Sequence, residues 1–341
     1  MIKTRKNTRF FKVLSLFLSL GLILSLASCG GKENPGSSAS GSDNTSGGKL
    51  KVVCTIFPVW DWTREILQGC EDETELTLLL NNGTDLHSFQ PSVSDILKIR
   101  EADVFIYVGG ESDNWVKDAL KDPVNPDRAT VNLMEVLGDR AKKEEMPEGA
   151  EEDPEDSEEE EEDEYDEHVW LSLKNAVFYT EELGKTLAEA CPKKKETIVG
   201  NAASYTKKIS DLEMGYREVT DDPGRNTLVF GDRYPFRYLA EDYGLQVFAA
   251  FSGCSAETEA SFKTITYLAE MVDRYELSAV LIIDGSDGKL ARTIIDNTKN
   301  KNAQVLTVNS LQSVTRSQIE SGVTYLSVME ENLGILQKAL R

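Results

Sequence analysis

The sequence predicts an α/β fold of two lobes joined by one long rigid helix, with a cleft between the lobes. Short apolar runs alternate with helical patterns along the chain, which is typical of mostly parallel sheets. About 290 residues follow the N-terminal segments, which is more than a single core usually supports. A helical pattern over residues 193–219 separates two such series, and its polar composition favours a helix that bridges lobes.

Each apolar run in these series predicts a strand, and each amphipathic stretch predicts a helix. In an N-terminal lobe, residues 51–192, we expect strands at 51–57, 75–80 and 104–108, and helices at 60–68, 92–101, 113–120 and 173–191. A connecting helix occupies residues 193–224, after the helix-stopping Pro192. In a C-terminal lobe, residues 225–341, we expect strands at 227–230, 247–251, 279–283 and 304–308, and helices at 234–243, 258–275, 287–299 and 323–338.

The N-terminus predicts a lipoprotein signal peptide over residues 1–28. Five basic side chains precede an apolar run at residues 13–26, which is shorter than the roughly 20 residues of a membrane-spanning helix. Leu-Ala-Ser before Cys29 resembles the lipobox of bacterial lipoproteins, in which the cysteine is acylated; the alternative is an ordinary cleaved signal and a chance cysteine. Residues 29–50 are rich in Gly and Ser, so we expect a flexible tether from a lipidated Cys29.

The chain is strongly acidic, with 59 Asp and Glu against 37 Lys and Arg. Such a surface repels nucleic acid and suits cations or basic partners. Fourteen of the 17 residues at 151–167 are acidic, and residues 144–167 show no apolar periodicity. We therefore expect a solvated, disordered acidic loop there, either as a variable insertion or as a weak cation-gathering segment.

Four cysteines follow the predicted lipidation site: Cys54, Cys70, Cys191 and Cys254. Their spacing matches no zinc finger or CxxC pattern. An exported chain permits disulfides. The pairing stays open, and buried free thiols are the favoured interpretation for most of them.

Histidine is scarce, since His87 and His168 are the only two in the chain. Both stand in predicted loops just before a helix. Loops at the carboxyl edge of a parallel sheet are where α/β folds bind ligands. A lone loop histidine is nevertheless more often a surface group than a ligand, and the wide separation of the two adds no pattern.

The surroundings of both histidines resemble the solute-binding lipoproteins of zinc and manganese ABC importers, the cluster A-I receptors. Residues 83–92, Gly-Thr-Asp-Leu-His-Ser-Phe-Gln-Pro-Ser, resemble their G-x-D-x-H-x-(Y/F)-x-P-(S/T) motif. Residues 102–107, Ala-Asp-Val-Phe-Ile-Tyr, and 166–171, Asp-Glu-His-Val-Trp-Leu, resemble the next two blocks. The resemblance extends from about residue 51 to the C-terminus and includes the long helix and residues 236–245.

The resemblance implies two α/β lobes around a rigid helix, with a metal in the cleft and both histidines as ligands. It implies a monomeric, lipid-anchored receptor on the outer face of the cell membrane that passes Zn²⁺, or Mn²⁺ or Fe²⁺, to an ABC permease and its ATPase. Zinc-binding members often carry a His- and acid-rich loop where residues 144–167 stand. This loop has no histidine before His168, and carboxylates alone hold transition metals weakly.

The sequence departs from that family in the C-terminal lobe. The position of the usual third ligand, three residues before Phe236, holds Arg233, whose guanidinium has no lone pair to give a metal. The usual fourth, acidic ligand falls at Asn309 or Gln312, which are amides. The N-terminal half of the predicted site is therefore intact, and the other half is altered.

Asp232 and Asp284, both at predicted strand ends, are the preferred replacements, and Asn309 remains a weaker candidate. Another group is Cys254 with Glu257 and Glu259, and a Cys thiolate would favour zinc over manganese. Each of these residues has a structural alternative, such as a helix cap, a buried thiol or an ion pair with Arg233. Arg233 itself would pair either with one of these acids or with an anion that accompanies the metal.

The motifs favour a binding protein over an enzyme. The sequence contains no Ser-His-acid arrangement, GxSxG, HExxH or phosphate-binding loop. A receptor for a metal chelate, or a surface adhesin on the same fold, is the alternative that the altered C-terminal half leaves open. A metal-dependent enzyme is the third and weakest hypothesis.

Overall fold

The structure is a computed structural model that describes residues 48–150, 164–222, 224–255 and 259–341. The predictions for the signal peptide, for Cys29 and for all but the end of the tether lie outside these residues. In the described part of the chain, no helix combines the length and the apolar character needed to cross a membrane.

The N-terminal lobe is built on a four-stranded parallel sheet. Its strands are β1 (Leu50–Cys54), β2 (Thr74–Leu78), β3 (Val104–Tyr107) and β4 (Ala129–Asn132), in the spatial order β2-β1-β3-β4. Its helices are α1 (Phe57–Ile66), α2 (Val93–Glu101), α3 (Val116–Ala119), α4 (Leu133–Leu137) and α5 (Leu173–Ala190). Every residue of the central β3 is buried, as expected of a parallel strand that is covered on both faces.

Two features of this lobe differ from the prediction. β4 and the short α4 were not predicted, because Ala-Thr-Val-Asn is too short and too polar to stand out as a strand. α1 begins at Phe57, three residues before the predicted start, because Pro58 is tolerated in the first turn of a helix, where its missing N–H costs no hydrogen bond.

The connecting helix α6 (Lys195–Thr220) has 26 residues and is about 39 Å long. It packs along α5 over much of its length and also contacts α1 and the last helix of the chain. The Tyr216 hydroxyl donates a hydrogen bond to the Met329 carbonyl (2.7 Å) in that last helix. α6 is thus fixed to both lobes by packing, which supports the prediction of a rigid connection.

The C-terminal lobe repeats the arrangement with a second four-stranded parallel sheet. Its strands are β5 (Thr227–Tyr234), β6 (Gln246–Ser252), β7 (Ala279–Ile283) and β8 (Gln304–Val308), in the order β6-β5-β7-β8. Its helices are α7 (Arg237–Asp242), α8 (Phe262–Arg274), α9 (Lys289–Asp296), α10 (Arg316–Glu320) and α11 (Tyr325–Ala339). The bounds of β7 and β8 are those predicted, whereas β5 continues four residues further, past a register shift between Phe230 and Arg233.

The ends of the acidic stretch differ from the disordered loop predicted over residues 144–167. The Glu144 N–H donates to the Glu164 carbonyl (2.8 Å), so the two ends lie side by side. Glu148 forms a parallel bridge with Phe248 of β6, the edge strand of the other lobe. The segment before the acidic run is therefore seated on the C-terminal lobe, while residues 151–163 lie outside the described residues.

The lobes meet at the loops that follow the strands of each sheet. The Trp170 indole N–H donates to the Ser310 carbonyl (2.9 Å) across this boundary. The Tyr325 hydroxyl donates to the Trp170 carbonyl (2.8 Å). These are the loops in which α/β folds place their ligands, and both histidines lie among them.

Candidate metal centre

His87 lies in a single 3₁₀ turn, Leu86–Ser88, in the loop after β2. The Asp85 carboxylate caps this turn by accepting the His87 backbone N–H (3.1 Å). The imidazole Nδ1 lies 2.7 Å from Oγ of Ser112, which belongs to the loop after β3. When Nδ1 donates its hydrogen to this hydroxyl, the lone pair remains on Nε2.

His168 is fully buried immediately before the 3₁₀ turn Val169–Leu171. Asp166 holds it twice, because one carboxylate oxygen accepts the backbone N–H (2.8 Å) and the ring Nδ1–H (2.9 Å). A carboxylate that accepts from the far nitrogen of a histidine is the usual outer partner of a metal ligand, since it fixes the ring and leaves Nε2 free.

The two histidines are also tied to each other through Glu167. Its carboxylate accepts the Ser112 backbone N–H (2.9 Å), and Ser112 in turn contacts His87. Gly110, at a φ of +78°, passes so close that a Cβ there would lie 2.4 Å from the same Glu167 oxygen. A glycine is therefore required where this loop crosses Glu167.

The Nε2 atoms of His87 and His168 face each other at 3.2 Å. Zinc binds histidine nitrogen at about 2.0–2.1 Å in tetrahedral sites, which places two such nitrogens about 3.3 Å apart. The pair therefore has the spacing of two adjacent tetrahedral ligands.

Burial and charge act differently on the two rings. Burial, aided by the charge of His168, lowers the pKa of His87 to about 4, so its imidazole is neutral at physiological pH. Burial also opposes a charge on His168, but the Asp166 carboxylate outweighs it and raises the pKa of His168 above its ordinary value. His168 therefore holds a proton more strongly than His87 does.

Cys254 is the third potential ligand at this position. It follows β6, and its Sγ lies within 4.8 Å of one ring nitrogen of each histidine; this is the one group of three or more His, Cys, Asp or Glu ligand atoms found in the described part of the chain. Burial, together with the Glu144 and Asp166 charges, raises the pKa of this thiol.

Arg233, at the family's third-ligand position, forms an ion pair across the lobes. Its guanidinium lies 3.0 Å from the Asp85 carboxylate that caps the His87 turn. The sequence suggested an anion or an acid of the C-terminal lobe as its partner, and the structure gives it an acid of the N-terminal lobe. Arg233 thus supports the loop that carries His87.

The structure does not bring Asp232 and Asp284 into the histidine group. The Asp232 carboxylate accepts the backbone N–H of Arg233 (2.8 Å), and the Asp284 carboxylate accepts the Ser310 hydroxyl (2.8 Å) and backbone N–H. Asn309 accepts the Leu311 N–H (2.8 Å) within its own turn. All three side chains stabilise strand-end loops in this structure.

The remaining candidates lie elsewhere. Gln312 is buried, and its amide has no hydrogen-bond partner among the described residues. Glu259 is exposed, and Glu257 lies outside the described residues.

A pocket of about 260 Å³ opens beside His87 and Cys254. Its lining consists of His87, Ser112, Tyr165, Cys254 and four glutamates, Glu111, Glu144, Glu164 and Glu167. The sequence analysis did not single out these glutamates or Ser112. The Gly109-Gly110 pair after β3 was a usable signal for Glu111 and Ser112, but Glu144 and Glu164 were hidden in the acidic run.

Comparison with known proteins gives concordant matches. The profile of the family described as "ZnuA: Zinc-uptake complex component A periplasmic" matches residues 52–339. The zinc-binding lipoprotein AdcA of Streptococcus pneumoniae is 32% identical over 304 residues, which are 88% of this chain and 58% of AdcA. This chain therefore spans little more than half the length of that relative.

Two further matches cover nearly the whole of the compared protein. The high-affinity zinc uptake system protein ZnuA of Bacillus subtilis is 28% identical over 97% of this chain and 98% of its own length. The crystal structure of the Zn(II)-bound ZnuA-like domain of S. pneumoniae AdcA has a TM-score of 0.66 and 29% identity, and it covers 86% of this chain and 99% of the domain. With the profile match over most of the described fold, the chain belongs to the family of the periplasmic zinc-uptake complex component A.

Proposed function

We propose that this chain is the extracytoplasmic receptor of an ABC importer, which captures Zn²⁺ and delivers it to a membrane permease. The observation that carries the proposal is the pair of Nε2 atoms 3.2 Å apart, each on a ring whose Nδ1 already has a partner. Such a pair binds a divalent metal without any rearrangement of the N-terminal lobe.

Zinc is the metal that this arrangement and the relatives favour. Two imidazole nitrogens suit zinc in the usual affinity order, with Mn²⁺ and Fe²⁺ behind it. The printed names of the relatives specify zinc binding and zinc uptake. His87 and His168 supply the first two ligands. The cargo is the free ion rather than a chelate, because the Arg233 guanidinium, which could bind the anionic part of a chelate, is already paired with Asp85.

The placement in the cell follows from the N-terminal sequence. Residues 1–28 direct export, Cys29 carries the lipid, and the segment up to residue 50 links the anchor to the lobes at 51–192 and 225–341. The receptor acts as a monomer on the outer face of the membrane, with a permease and an ATPase as partners. It performs no catalysis.

The direct test is calorimetric titration of the metal-stripped chain, from residue 29 to Arg341 with Cys29→Ser to prevent acylation. We expect one tight Zn²⁺ site, and we expect the His87→Ala/His168→Ala variant to lose it. Lys98→Ala, a change in an exposed residue of α2, is the matched control and should bind as the parent does. Absence of a tight zinc site in the parent, or equal binding by the double variant, would refute the proposal.

A further inference from the structure

We propose that Cys254 supplies the third protein ligand, as a thiolate, and that it makes the site selective for thiophilic divalent ions such as Zn²⁺ and Cd²⁺ over Mn²⁺. This inference rests on the proposed metal-binding function and specifies which ion the same site accepts. It gives the C-terminal lobe an anionic ligand, which Arg233 and Asn309 at the altered positions cannot provide.

The distances favour this assignment. With zinc–nitrogen bonds of about 2.0–2.1 Å and a zinc–sulfur bond of about 2.3 Å, tetrahedral geometry places sulfur about 3.6 Å from each nitrogen. The Cys254 Sγ lies within 4.8 Å of a ring nitrogen of His87 and of a ring nitrogen of His168. A short movement of the Cys254 side chain is therefore enough to bring the thiol to a shared metal.

The loop that carries Cys254 is held against His168 by contacts from both lobes. A Cβ on Gly253 would lie 3.0 Å from Cε1 and 3.2 Å from Nδ1 of His168, so a larger residue would press on the ring. On the other side, the Cys254 N–H donates to the Glu144 carboxylate (3.2 Å) of the N-terminal lobe. These two contacts hold the backbone of Gly253 and Cys254 beside the His168 ring.

The acids of the same lobe have other roles. Asp232 and Asp284 accept hydrogen bonds from the backbone N–H groups of Arg233 and Ser310, near the ends of β5 and β8, so they already serve the fold. The Cys254 thiol is hydrogen-bonded to Glu144, and its hydrogen is the one that a metal replaces.

The chemistry of the ligand decides the ion. Binding replaces the S–H bond with a sulfur–metal bond, and the proton leaves to solvent, so no oxidant or reductant takes part. Thiolate is a soft ligand that suits zinc and cadmium, whereas manganese prefers carboxylate, carbonyl and water oxygens. A site with two imidazoles and one thiolate therefore discriminates against Mn²⁺.

The test uses Co²⁺ as a spectroscopic probe in the same recombinant chain, because cobalt occupies zinc sites and a thiolate bound to it gives a charge-transfer band in the near ultraviolet. We expect this band in the parent chain and its loss in Cys254→Ser. In Cys254→Ser we expect Zn²⁺ affinity to fall at least tenfold, because loss of even an outer partner of a metal ligand costs about that much. We expect little change in Mn²⁺ affinity. Cys191→Ser, the same change at a buried cysteine outside the site, should leave both unchanged.

A second variant keeps the test valid if Cys254→Ser folds poorly. Cys254→Asp offers an oxygen ligand at the same point and should shift the preference towards Mn²⁺. A parent chain that binds zinc tightly but shows no thiolate band, or a Cys254→Ser variant that binds zinc as well as the parent, overturns this inference and leaves the histidine receptor intact. A parent chain without any tight zinc site overturns both.

Discussion

The two lobes contribute to the cleft in different ways. The N-terminal lobe presents two histidines whose Nδ1 atoms contact Ser112 and Asp166, so both Nε2 atoms face each other in the cleft. The C-terminal lobe presents its acids at equivalent strand-end positions, but Asp232 and Asp284 point their oxygens at the protein's own backbone and hydroxyl groups.

This difference shows that a carboxylate near the cleft can have one of three roles. Asp166 orients His168, Asp284 holds the loop after β8, and Asp85 caps the His87 turn while it pairs with Arg233. The residue type is the same in all three, and the donors that each carboxylate faces determine its role.

The largest effect is expected from Asp166. Asp166→Ala removes the acceptor of the His168 ring N–H, so the ring loses its fixed tautomer, and Zn²⁺ affinity should fall by about 10- to 100-fold. Asp166→Asn keeps an acceptor oxygen and should lose less. Competition titration against a chelator of known affinity measures both, and an unchanged affinity in Asp166→Ala would contradict the orienting role.

A smaller effect of a different kind is expected from Asp284. Asp284→Ala leaves the Ser310 N–H without its acceptor, which should lower the free energy of unfolding by about 1–2 kcal/mol. Zinc affinity, measured on the same preparation, should not change. Denaturant unfolding gives the stability, and a large loss of zinc affinity in a folded variant would instead identify Asp284 as a ligand.

The smallest effect, when expressed per unit of pH, concerns Asp113 in the loop after β3. It is buried and accepts the Val108 and Gly109 N–H groups (3.0 Å each). Burial raises its pKa to about 7 from an ordinary 3.8. Between these pH values Asp113 keeps a proton in the folded chain and loses it in the unfolded chain. Its contribution to the free energy of unfolding is therefore greatest below pH 4 and decreases as the pH rises to 7.

The expected slope for Asp113 is on the order of 1 kcal/mol per pH unit. Asp113→Asn, which cannot ionise, should flatten the pH dependence of the unfolding free energy over this range. Lys98→Ala serves again as the surface control. A variant with the same slope as the parent would show that another group titrates.

The sequence was sufficient to single out the two histidines that meet in the cleft, because each stands in a contiguous motif. His87 follows Gly-Thr-Asp-Leu and precedes Pro91, and His168 follows Asp166, its own outer partner. These local patterns are also what the fold uses, since Asp85 and Asp166 cap the turns that hold the rings.

Cys254 could not be assigned in the same way. Its proximity to the histidines depends on how closely β6 approaches the N-terminal lobe, and that distance is set by Gly253 and Glu144, which lie far apart in sequence. The ion pair between Arg233 and Asp85 was missed for the same reason. In the fold, β7 was predicted with correct bounds because it is a continuous apolar run, and β8 because three of its five residues are apolar, whereas β4 is short and half polar.

In the proposed receptor, the four glutamates of the pocket bear on the rate of metal uptake. A cleft lined by one sign of charge focuses its field and can raise the association rate of an opposite ion by about 10- to 1,000-fold. Salt screens such a field beyond about 8 Å at physiological ionic strength. The salt concentration outside the cell would therefore change the association rate of the metal ion, which would be highest at low salt.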